Sequence, residues 1–176
     1  MQVRPAQGYA GDVTPELACH WWQAGQALLV DIRSDAERAW VGYVPGAAVV
    51  TWKQWPGMVP NPDFDQALIA AVPPGMKAVL LCRSGVRSIA AARRATDLGL
   101  QAYNVLEGFE GDPDEQAQRG KLGGWRCLGL PWRLGCTRLP GAHEAPPGKS
   151  MNFVTSGGSV GAGALPASST ATSTRS

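Results

Sequence analysis

Runs of consecutive apolar residues recur along this chain, separated by stretches with helical start and stop signals. Ala27-Leu28-Leu29-Val30 runs on into Asp31-Ile32-Arg33, and Ala47 to Trp52, Ala78-Val79-Leu80-Leu81 and Ala102-Tyr103-Asn104-Val105-Leu106 follow. Such runs lack the apolar–polar alternation of a half-exposed strand and predict strands covered on both faces. Between them, Thr14-Pro15-Glu16 gives an N-cap, a proline at the first helical position and an acid in the first turn, predicting a helix through Trp22 that stops near Gly25. Ser34 and Glu37 have the capping-box spacing and open a second helix through Trp40. Two more helices are predicted, from Asp63 to Ala71 and from Val86 to about Leu98-Gly99. Turns at Gly42–Ala47 and Pro73-Pro74-Gly75, and a Pro- and Trp-containing loop over 55–62, punctuate the series.

Strands alternating with helices predict an α/β fold, a mostly parallel sheet of about five strands with helices on both faces. Ligands of such sheets bind outside the carboxyl ends of the strands. Asp31 and Cys82 both fall at that edge.

Composition narrows the class. The 176 residues suffice for one domain of ordinary size with some chain left over. The expected division is a lead over 1–11, a domain over 12–132 and a tail over 133–176, whose second half is mostly Ser, Thr, Gly and Ala and is expected to be disordered. No apolar run approaches the roughly 20 residues that span a bilayer. Met1-Gln2-Val3-Arg4-Pro5 has neither an apolar core nor a small-residue cleavage site, so a cytoplasmic protein is expected, with no membrane partner. Residues 1–132 carry twelve basic and thirteen acidic side chains, the remainder four against one, which does not point to a nucleic-acid partner. Cysteines at 19, 82, 127 and 136 form no Cys-x-x-Cys pair and have no histidine at ligand spacing, so neither a metal nor another cofactor is expected.

The chemistry concentrates in Cys82-Arg83-Ser84-Gly85-Val86-Arg87-Ser88. A thiol stands at the end of a predicted strand, facing the first amides of a predicted helix, with two arginines beside it. The helix dipole, a nest of loop amides and the guanidinium charges all favour a thiolate over a thiol. The plain alternative, a buried core cysteine, does not account for two flanking arginines and Gly85. Arg83 is expected to bind or steer an anion through its forked donors; Arg87 either does the same or points inward and holds the loop. The Ser84 and Ser88 hydroxyls serve either a ligand or the turn and helix cap. His20 and His143 have no assigned role, and Cys127 reads as a core or surface thiol rather than a resolving one. Trp125 and Trp132 read as packing residues that anchor the end of the domain.

The loop resembles that of the rhodanese family, Cys-Arg-x-Gly-x-Arg-Ser/Thr, and four further segments extend the resemblance over roughly residues 12–132. Val30-Asp31-Ile32-Arg33 is similar to the family's Asp-x-Arg strand end. Gly42-Tyr43-Val44-Pro45-Gly46-Ala47 is similar to its Gly-His-Ile-Pro-Gly-Ala segment, with Tyr43 in place of histidine. Gly124-Trp125 with Leu130-Pro131-Trp132 resembles its closing segment; Asn104 to Phe109 resembles the strand and turn before it, with Phe109 where many members have tryptophan. The resemblance implies a rhodanese-like three-layer sandwich and a sulfurtransferase. Cys82 would take the outer sulfur of an anionic donor such as thiosulfate, form a persulfide, and pass the sulfur to cyanide or a thiol. Arg83, Ser84, Gly85, Val86, Arg87 and Ser88 would bind substrate, and Asp31 and Arg33 would brace the loop. A sulfur carrier or binding module receiving persulfide from a protein partner is the alternative. A cysteine phosphatase or arsenate reductase fits less well, since those loops place arginine six residues after cysteine, where this chain has Ser88.

Overall fold

The computed structural model describes residues 2–135. The expected tail from residue 136 onward, with Cys136 and His143, lies outside the described residues. The elements in chain order are β1 (Gly11–Val13), α1 (Pro15–Gln23), β2 (Ala27–Asp31), α2 (Asp35–Val41), β3 (Ala48–Val49), β4 (Lys53–Gln54), β5 (Val59–Pro60), α3 (Phe64–Ala71), β6 (Lys77–Leu81), α4 (Arg87–Asp97), β7 (Ala102–Val105) and α5 (Gly124–Cys127).

Five strands form one parallel sheet in the order β1-β7-β6-β2-β3, and β4 and β5 form a separate antiparallel pair. The α/β class and the parallel sheet are as the sequence predicts. Side chains on successive strand residues point to opposite faces, so each central strand feeds two cores. Leu29, Val79, Leu81, Tyr103 and Val105 pack with Leu17 and Ala18 of α1 and with Trp125 of α5. Val30, Ala78, Leu80 and Ala102 pack with Phe64 and Leu68 of α3 and with Ala91, Ala92 and Ala95 of α4. The small alanines of α4 let that helix lie close on the sheet.

The predicted caps form. Thr14 accepts from the Leu17 amide, and Ser34 and Glu37 complete a reciprocal capping box. Two elements differ from expectation. The predicted strand from Ala47 to Trp52 is a regular ladder only at Ala48–Val49; beyond it, single bonds from Val50 N–H to Asp31 O and from Trp52 N–H to Ile32 O follow the end of β2, and the Trp52 ring meets Phe64 edge-on, with centroids 4.5 Å apart. The edge strand β1 is too short and polar to register as an apolar run, and is held by pairing with β7 and by backbone bonds between Arg4 and Asp12.

From β2 the chain steps outward to β3, then returns across β2 to β6 and steps on to β7. The direction of winding therefore reverses between β2 and β6, the position where parallel α/β sheets open a crevice. Asp31 ends β2 and lies in register with Leu81, which ends β6, so the residue after Leu81 sits at the mouth of that crevice.

Candidate active site

That residue is Cys82, 1% exposed. The loop after it turns on Gly85, whose φ of +81° suits glycine and whose missing side chain lets the loop lie against the β7 side. A Cβ at Gly85 would come within 2.9 Å of the Glu107 amide nitrogen. The turn aims the Gly85 N–H at Cys82 Sγ at 3.2 Å, and the first turn of α4 places Ser88 Oγ 3.1 Å from the same sulfur. Val86, the N-cap of α4, supplies no side-chain acceptor. The first amides of α4 are thus left without a side-chain cap, at the positive end of the helix dipole and next to the thiol. Ser84 is half-buried and Val86 is 69% exposed, so Val86 shows an apolar surface where the loop faces outward.

The loop is fixed from behind. Phe109 N–H donates to Cys82 O at 2.8 Å and Glu110 N–H to Arg83 O at 2.9 Å. Gly108, at φ +60°, passes so close that a Cβ there would lie 2.5 Å from Cys82 O and 2.7 Å from Ser84 N.

The two arginines part company. Arg87 makes a bidentate pair with Glu37 of α2, Nη1 to Oε2 at 3.0 Å and Nη2 to Oε1 at 2.5 Å. Burial works against the Arg87 charge, but Glu37 outweighs it, with Cys82 and Asp31 adding to the effect, so Arg87 is held above its ordinary pKa. Burial likewise pushes the Glu37 carboxyl up; hydrogen bonds from Arg87 and Ser34 and the Arg87 charge overcome this and bring it down to about 2. Arg87 therefore ties α4 to α2. Arg83 is exposed and has no side-chain partner among the described residues.

Asp31 and Arg33 form a buried ion pair, with Arg33 Nη2 2.6 Å from Asp31 Oδ2. Arg33 also donates to Gly42 O at 3.0 Å and lies 3.9 Å over the Phe109 ring. Neither residue hydrogen-bonds the 83–88 loop. Their hold on it runs through Phe109, whose amide carries the Cys82 carbonyl, and through the Asp31 charge acting on Arg87. This is more indirect than the bracing that the resemblance implies.

Three features of the site bring together residues far apart in the sequence. Glu37 was legible only as a capping residue; its ion pair with Arg87 spans fifty positions. Asn104, buried at 2% exposure, accepts from Ser88 Oγ at 2.6 Å, and its only sequence signal was a polar residue inside an apolar run. Third, a cavity of about 510 Å³ opens beside the Cys82 loop, walled by Trp40, Trp55, Met58, Val86, Arg83 and Arg87. Trp40 and Trp55 meet edge-on there, 68% and 55% exposed.

Other candidate residues fall away from the site or serve packing. The exposed Cys127 donates its thiol to Lys121 O, and His20 is exposed on α1. Trp125 is fully buried with Nε1 bonded to Pro131 O at 2.9 Å, and Trp132 meets Phe109 edge-on, so both anchor the closing segment. Tyr43 bridges Arg133 through its backbone. Among the described residues no group of three or more His, Cys, Asp or Glu side chains could hold a metal ion, and no helix is long and apolar enough to cross a membrane.

Comparison with known proteins agrees with this fold. The family model for the rhodanese-like domain matches residues 14–112. The crystal structure of Rv0390 from M. tuberculosis is 43% identical, covers 72% of this chain and 99% of its own, and superposes with a TM-score of 0.66. The rhodanese-like domain of the Anabaena protein Alr3790 shares the fold at 12% identity, with a TM-score of 0.50 over 79% of this chain and 91% of its own. The uncharacterized protein RC0915 of Rickettsia conorii is 33% identical over 113 residues, 61% of this chain and 84% of its own length.

Proposed function

The chain belongs to the rhodanese-like domain family, and on that premise we propose that it is a sulfurtransferase working through a Cys82 persulfide. The Cys82 thiolate attacks the outer sulfur of an anionic donor such as thiosulfate. The donor S–S bond breaks, sulfite leaves with its electron pair, and the transferred sulfur remains on Cys82 as a persulfide anion. A nucleophilic acceptor, cyanide or a thiolate, then attacks that terminal sulfur and the Cys82 thiolate is regenerated. The chemistry is two displacements at sulfur and needs an activated nucleophile rather than a cofactor. It suits a reducing compartment such as the cytoplasm.

One observation carries the reading: the Cys82 sulfur lies 3.2 Å from the Gly85 amide at the uncapped start of α4. Donors fixed in place before the reaction stabilise an anion without reorganising. Ser84, Val86 and the α4 amides form the rim that receives the donor, with Arg83, unpaired among the described residues, as the cation that steers it. Arg87 acts on the same rim from its Glu37 pair. A phosphatase reading has less support, because Ser88 stands where that chemistry needs its arginine, and Arg87 is already engaged by Glu37.

The test is intact-protein mass after incubation with thiosulfate, for the wild type and Cys82→Ala. A gain of about 32 Da, one sulfur atom, on the wild type alone and reversed by dithiothreitol is expected. Absence of the adduct on folded wild-type protein would overturn thiosulfate as donor.

The cavity favours a second reading. Its Trp40, Trp55, Met58 and Val86 walls and the Glu37-neutralised Arg87 suit a donor with an apolar body, or a persulfide on a partner protein, better than a small dianion. The domain then acts as a sulfur carrier. Loading by an aromatic thiosulfonate much faster than by thiosulfate, with the advantage lost in Trp40→Ala, supports this reading; equal rates remove it.

A further inference from the structure

Ser88 has one hydroxyl proton and two acceptors beside it. Its Oγ is 3.1 Å from Cys82 Sγ and 2.6 Å from Asn104 Oδ1, and all three residues are buried. A single proton cannot serve both. The other end of Asn104 decides the direction. Asn104 and Asp12 are register partners on β7 and β1, and Asn104 Nδ2 donates to Asp12 Oδ1 at 2.8 Å. The same oxygen accepts from Tyr9 Oη at 2.7 Å. Turning the amide over would set Asn104 Oδ1 against an Asp12 oxygen, two acceptors at contact. The amide oxygen therefore faces Ser88, an oxygen that can only accept. Burial, the Asp12 hydrogen bond and the Asp12 charge raise the Tyr9 hydroxyl to about 12, so Tyr9 remains a donor at the far end of the chain.

We propose that Asp12 and Asn104 are positioning residues that hold the Ser88 proton away from Cys82 until the sulfur is charged. In the thiol form, Cys82 S–H donates to Ser88 Oγ and Ser88 O–H donates to Asn104. When the sulfur becomes an anion, the Ser88 hydroxyl rotates to it and leaves Asn104 Oδ1 without its donor. The chain restrains Cys82 ionisation, acting through Ser88. The proposal rests on Cys82 being the reacting group, but its test does not require sulfur transfer. The charged groups around the loop are Arg83 and Arg87 on the loop and α4, Glu37 on α2, Asp31 and Arg33 at the end of β2, and Glu107 and Glu110 after β7. Asn104→Leu changes none of these charges; it removes one hydrogen bond from the Asp12 carboxylate on β1, which keeps its bond from Tyr9.

The experiment is the pH profile of Cys82 alkylation by iodoacetamide, read by mass on the full chain, for wild type, Asn104→Leu, Ser88→Ala and the double variant. Freeing Ser88 from Asn104 is expected to lower the midpoint by about one pH unit, the scale of one hydrogen bond to a charged group. The shift should vanish when Ser88→Ala is added. An unchanged midpoint in Asn104→Leu, or an equal shift with and without Ser88, overturns the proposal. Should Asn104→Leu fail to fold by circular dichroism, the same cycle is run with Asp12→Asn, which lets the amide turn over. There, the part of the shift that needs Ser88 is the chain's, and a shift wholly independent of Ser88 is Coulombic and overturns it. Persulfide loading from thiosulfate, measured in parallel, separates failure of this chain from failure of the sulfurtransferase reading.

Discussion

Glu37→Gln isolates the tie between α2 and the Cys82 loop. The substitution keeps the shape of the side chain and removes its charge, leaving Arg87 without an ionic partner. Glu37 is lowered from an ordinary value of 4.5 to about 2. At about 1.4 kcal/mol per pH unit this corresponds to at most about 3 to 4 kcal/mol of folding stability. The pair is 16–20% exposed, so solvent screening reduces the expected loss to about 2 kcal/mol at pH 7. Because the folded-state value is depressed, this stability is fully present above the unfolded value. It is lost as pH falls through the folded one. Urea unfolding followed by tryptophan fluorescence at pH 7, 5, 4 and 3 gives the difference between wild type and variant, in which the other carboxylates cancel. The difference should hold from pH 7 to about 5 and fall by roughly half by about pH 3. A difference constant across that range would refute the reasoning, since a lost shape or packing contact has no such pH dependence.

Gly108→Ala places a Cβ against the Cys82 carbonyl at a positive φ; a loss of about 3 kcal/mol by urea unfolding and slowed persulfide loading by mass are expected. Leu80→Ala empties a fully buried site on the central strand and should cost about 3 kcal/mol by the same unfolding measurement. Asp65→Asn removes the solvent-exposed ion pair with Arg94 between α3 and α4; at physiological salt the urea midpoint should stay where it is.

The parts of the molecule legible in the sequence are those whose cause is local. Ser34 and Glu37 three residues apart, Thr14 before Pro15, and the apolar run into Cys82 each specify their own conformation. Gly11–Val13 becomes a strand because β7 offers it an edge, and no local pattern encodes that edge. The same holds at the site. Cys82, Gly85 and Ser88 share one short loop and could be read together. Arg87 could not be assigned between ligand and brace, because the deciding partner, Glu37, sits on another helix and already had a sufficient local role as a cap. Asn104 likewise interrupts a strand for a reason found on β1 and α4.

The backbone bonds from Phe109 and Glu110 to the carbonyls of Cys82 and Arg83 bear on how long the proposed persulfide would last. They continue the β6–β7 pairing beyond the ends of the strands, so the Cys82 loop belongs to the cooperative unit of the sheet. Amides at 109 and 110 should exchange with solvent deuterium on the slow timescale of the strands, not on the fast one of surface loops. A loop bound in this way does not fold over its cargo. Under the proposed persulfide chemistry, shielding of the terminal sulfur from stray oxidants and thiols would fall to the acceptor or partner seated in the tryptophan-walled cavity rather than to the loop.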